Sequence, residues 1–84
     1  YADDWAMENG FVIQRATASR VVWLLNKHTG VMVSQFQPEF PLIESVRFVQ
    51  DLESELGRKI EAEEAEQIVT ISDLIDFLHR ERMR

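Results

Sequence analysis

Ser45 is the residue in FPLIESVRFV, residues 40–49, whose chemistry goes beyond charge: a hydroxyl with Glu44 before it and Val46 after it. A serine becomes a catalytic nucleophile only when a base and an orienting group stand beside it. Ser45, one of His28 and His79, and an aspartate can be drawn as such a triad, but no G-x-S-x-G elbow surrounds the serine. Both histidines fall near expected helix ends, where the helix dipole accounts for a cation. No His or Asp spacing suggests a metal centre, and the chain has no cysteine to supply a thiolate or a disulfide framework. Enzymatic activity and metal binding are therefore not expected. By itself Ser45 reads as a solvated helix serine, and only its surroundings raise it above that.

Those surroundings are acidic. The net charge of the 84-residue chain is −6, and residues 39–66 supply all of it, with nine acids against three bases. Such a field repels nucleic acid and anionic membranes and attracts basic protein surfaces, while also serving plain solubility. The tail HRERMR, residues 79–84, reverses the sign and complements the dipole at the end of the last helix. No apolar run approaches the ~18 residues of a membrane helix. The absence of cysteine fits a reducing compartment, and a cytoplasmic location is the expectation.

The elements that must position Ser45 follow from periodicity. Residues 1–16 read as an N-terminal arm or leading turn from which Trp5 packs back, 17–80 as the domain, and 81–84 as a basic tail. In residues 17–29, Ala18, Val21, Val22 and Leu25 share one helix face, and Gly30 stands where a C-cap glycine belongs. The rival is a hairpin with strands VVWLL and VMVSQF. The helix fits better, and on it Trp23 points away from the core. Residues 31–41 read as a loop that drops Val31, Val33, Phe36 and Phe40 onto the core. Residues 45–56 form an amphipathic helix whose stripe is Phe48, Val49, Leu52 and Leu56, closed by Gly57. EAEEAEQ, residues 61–67, is a short acidic helix. Residues 70–80 form the clearest helix: Thr70 and Asp73 make its capping box, and Ile71, Leu74, Ile75 and Leu78 its apolar face. The expectation is an all-α fold: a small four-helix bundle with one long loop and a short acidic third helix.

Three segments in this order resemble the acyl carrier protein family, most closely its stand-alone acyl, aminoacyl or D-alanyl carriers. IEAEEAEQIVTISDLIDFL, residues 60–78, is the most specific and is similar to the family's third and fourth helices. PLIESVRFVQDLESELG, residues 41–57, is similar to its Asp-Ser-Leu signature and second helix, and WLLNKHTGVMV, residues 23–33, to the end of its first. The resemblance spans about residues 17–80. It implies a four-helix carrier that holds cargo on a 4'-phosphopantetheine arm.

On that resemblance Glu44-Ser45-Val46 stands where Asp-Ser-Leu stands in the family. Ser45 would take the arm from a phosphopantetheinyl transferase, and the arm would hold an acyl or aminoacyl group as a thioester. The family's acidic second helix implies docking on basic surfaces of synthase, ligase or transferase enzymes. Here that role would fall to Glu44, Asp51, Glu53 and Glu55, with Glu61, Glu63 and Glu64 nearby and Arg47 as a departure. Phe48, Val49, Leu52, Leu56, Ile71 and Leu74 would line space for an acyl chain or form plain core. One spacing differs: the family's serine lies about one helical turn further from the residue matching Ile60 than Ser45 does. Counting back from Ile60 without a gap puts the motif on Pro41-Leu42-Ile43. Leu42 then occupies the attachment position, and the domain is an unmodified docking module. The choice turns on whether the helix begins at Pro41, with Ser45 inside it, or at Glu44 or Ser45, with the serine at its mouth.

Overall fold

The computed structural model describes residues 2–42 and 46–83. The fold is all-α. Helices α1 (Ala2–Glu8), α2 (Arg15–Thr29), α3 (Val46–Leu56), α4 (Ala62–Gln67) and α5 (Ile71–Arg82) follow in order, with a 3₁₀ turn at Val33–Gln35 between α2 and α3.

α2 and α5 supply the most deeply buried side chains, Val21 and Val22 from one and Ile71, Leu74 and Ile75 from the other. The helix reading of residues 17–29 holds, and the described residues contain no strand. Ala18, Leu24 and Leu25 complete the inner face, while Trp23 is 46% exposed on the outer face. Its ring lies 4.5 Å from the Arg20 guanidinium carbon and 5.7 Å from the Lys27 nitrogen.

The segment expected as an arm is helical over Ala2–Glu8. Ala2, Trp5 and Ala6, at i, i+3 and i+4, turn one face toward α2. Two turns are too few for that face to show as a period in the sequence. Trp5 does pack back: it is 4% exposed, stacks on Phe11 at 5.7 Å, and donates its indole N–H to the Phe36 carbonyl at 2.8 Å. Asp3 accepts a hydrogen bond from Ser19 of α2.

Of the four loop anchors expected between α2 and α3, Phe36 is buried and Val33 packs against the core. Val31 and Phe40 are exposed instead. Backbone hydrogen bonds, rather than the Phe40 ring, tie down that end of the loop. Pro41 forms an isolated antiparallel bridge with Thr70, and the Leu42 amide donates to the Val69 carbonyl at 3.0 Å. Two further backbone bonds to this loop complete the N-terminus of α5, where a helix leaves its first N–H groups without partners. Ile71 N–H donates to the Phe40 carbonyl and Ser72 N–H to that of Pro38, at 3.1 and 2.8 Å. Asp73 N–H donates to the Thr70 hydroxyl, and the Asp73 carboxylate accepts from Thr70 N–H at 3.1 Å, the expected capping box. Pro41 is therefore outside any helix, and α3 does not begin there.

α3 buries Phe48 and Leu52 and half-buries Val49 and Leu56. It ends at Gly57, whose φ of +74° is left-handed and whose N–H donates to the Glu53 carbonyl at 2.9 Å. A Cβ at Gly57 would meet no atom within 4 Å. Gly57→Ala should therefore cost only the backbone penalty, about 1–2 kcal/mol, read as a shifted urea midpoint at an unchanged m-value. Gly30 ends α2 in the same way at φ +74°.

Candidate functional site, an apolar groove between three helices

α3, the α4 segment and the start of α5 enclose a groove of about 500 Å³. One wall is Val46, Phe48, Val49 and Leu52 of α3. Ile60, Ala65 and Ile68 form the facing wall, Leu74 and Leu42 add to the lining, and Gln50 and Glu53 of α3 are its polar members. A wider cleft of about 970 Å³ between α1 and the 32–39 loop carries more polar groups, among them Asp4, Glu8, Asn9 and Glu39.

Four of the residues expected to line cargo space do line the groove: Phe48, Val49, Leu52 and Leu74. Ile71 is plain core at 2% exposure. Leu56 borders a different, much smaller cleft with Arg20, Leu24 and Leu78. The facing wall was missed by sequence reasoning. Its signal was present, since Ile60 and Ile68 bracket the acidic segment, but α4 hides it by showing mostly charge. Ser45 and Glu44, with Ile43, lie outside the described residues. Leu42 and Val46, which flank those three in sequence, both line the groove.

The acids expected to meet partners divide into two groups. Asp51 contacts His28, Nε2 to Oδ2 at 2.6 Å, with Lys27 at 3.8 Å. Glu55 accepts from Arg20 Nε at 2.7 Å. Glu53 accepts from the Ile60 amide at 2.9 Å, fixing the turn after α3. Glu64 accepts two hydrogen bonds of 2.9 Å from Arg58. Arg58 also reaches Glu81 at 3.1 Å. Glu64 foremost, then Glu81, push the Arg58 guanidinium still further above its ordinary range. These acids are held by cations or amides of their own chain. Glu61, Glu63 and Arg47 are exposed. Among the described residues, no group of three or more His, Cys, Asp or Glu is arranged to hold a metal ion.

The His28 hydrogen bond, with Lys27 and Arg20 behind it, lowers the Asp51 carboxyl below its ordinary 3.8 against the opposing effect of desolvation. A depressed carboxyl stabilises the fold above its unfolded value and loses that contribution as pH falls through the lower folded value. The stability gap between the wild type and Asp51→Asn should therefore be present above pH 3.8. It should close as pH drops below 3.8, measured as urea midpoints across an acid series. A gap independent of pH would remove the pair from the α2–α3 interface energetics.

No helix among the described residues is long and apolar enough to cross a membrane. Comparison with family models, with curated proteins and with solved structures gives no match.

Proposed function

We propose that this chain is an acyl-carrier-like domain that takes a phosphopantetheine arm on Ser45 and shelters an acyl or aminoacyl cargo in the groove between α3, α4 and α5. The observation that carries this reading is the groove together with its lining by Leu42 and Val46. Ser45 immediately precedes Val46 in sequence, and Val46 lines the groove. The bridge at Pro41 also weighs against the register in which the second helix begins there.

The arm, when bound, supplies the thiol that carries cargo as a thioester. The protein's own residues do the rest. Phe48, Val49, Leu52 and Leu74 offer an apolar surface, and Ile60 and Ile68 face them. Docking to basic partner enzymes falls first to exposed Glu63 and then to Glu61, which is exposed but also caps the α4 N-terminus with its carboxylate. Charge of this kind acts mainly on association rate and partner choice.

A second reading has its own observation. Leu42 pairs with the α4–α5 link through its amide and half-buries its side chain at the groove. If Leu42 holds the attachment position, the groove is fitted with a permanent apolar residue and the domain docks without cargo. Intact mass after incubation with a promiscuous phosphopantetheinyl transferase and coenzyme A tests the first reading. The mass rises by one arm in the wild type and not in Ser45→Ala.

A further inference from the structure

The two walls of the groove are held in different ways. α3 buries Phe48 and Leu52 in the core, whereas α4 buries none of its six residues. A helix so short has little stability of its own. Half-buried Ile60 and Ile68 hold its two flanks. Its middle is held by Arg58, which makes paired hydrogen bonds to Glu64 of α4 and an ion pair to Glu81 of α5. The guanidinium carbon lies 5.8 Å from the ring centre of Phe77, which is itself buried. Glu64 also accepts from the Glu61 amide at 3.1 Å, so the same carboxylate caps α4 and ties it down.

Arg58 and Glu64 remain partly wet, with side chains 37% and 28% exposed. Ion pairs in such positions are weak singly and are screened by salt. A fastener that a soluble cation can weaken thus sits on the wall that must move if the groove is to widen.

We propose that Arg58 is a latch: by bridging Glu64 to Glu81 it holds α4 against α5 and keeps the groove narrow, and a cation that competes for Glu64 releases α4 and opens it. The natural competitor is a lysine or arginine on a docking partner, which would couple docking to access. Calling this access to cargo rests on the carrier reading, whereas the mechanical link between Arg58 and α4 does not.

The test is amide hydrogen exchange on the full chain at Ala65 and Ile68, whose N–H groups donate to the carbonyls of Glu61 and Ala65. Wild type and Arg58→Met are compared at low and high NaCl. Methionine keeps an apolar stem over Phe77 while removing both ion pairs. At low salt, exchange at the two amides should be about fivefold faster in Arg58→Met, the scale of an exposed charge network. NaCl should accelerate the wild type toward the variant and leave the variant unchanged, with the α2 amides steady throughout. The uncharged dye Nile red should bind Arg58→Met more tightly. Equal exchange in the two proteins, or an acceleration shared by α2, overturns the latch. Failure here is separable from failure of the carrier reading. A chain that never loads but shows the salt-sensitive α4 keeps the latch and loses the carrier; a chain that loads with an indifferent α4 does the reverse.

Discussion

Leu52→Ala should lower the free energy of unfolding by about 2–5 kcal/mol, the cost of removing a buried leucine and leaving part of its volume empty. Leu52 is 3% exposed, sits in the central cluster, and also borders the groove from α3. In a domain of this size the total stability is about 4–13 kcal/mol, so the loss is a large fraction of it. Urea denaturation reads the effect as a lower midpoint at an unchanged m-value. Val46→Ala is the matched control: Val46 lies on the same helix and the same groove but is 76% exposed. Its loss should change stability by no more than about 0.5 kcal/mol. A near-zero effect at Leu52 would mean that α3 is not anchored as described, and the α3 wall of the groove would lose its foundation.

The helix ends were legible because their causes are local. Thr70 and Asp73 lie three residues apart, and Gly30 and Gly57 each follow an apolar stripe, so the capping box and both left-handed ends could be read from neighbours alone. α1 escaped notice because two turns give too few repeats, and its helix depends on Trp5 reaching Phe36, 31 positions away. Phe40 was misread for a related reason. A large apolar residue in a loop looks like an anchor, yet here the backbone of residues 38–42 does the anchoring by completing the first turn of α5.

Distance along the chain also hid much of the site. Charge counting offered Asp51, Glu55 and Glu64 as free docking groups. Nothing in their own segments shows that His28 and Arg20 of α2 reach two of them, or that Arg58 claims the third while bridging to Glu81. The half of the groove contributed by α3 followed from its stripe. The half around α4 did not, because Ile60, Ala65 and Ile68 form a wall only once the chain has turned back at Gly57.

The central claim is that Ser45 is the attachment point, and the largest effect expected of this protein is all-or-none at that position. Three proteins decide it when each is incubated with a promiscuous phosphopantetheinyl transferase and coenzyme A and weighed intact: the wild type, Ser45→Ala, and the double variant Leu42→Ser/Ser45→Ala. Far-ultraviolet circular dichroism on each first establishes that the helices are kept. The expected result is a gain of one phosphopantetheine arm by the wild type alone. A folded wild type that gains nothing contradicts the account. If the double variant then gains the arm, position 42 is the attachment point, and the natural chain, with leucine there, is a docking module that carries no cargo.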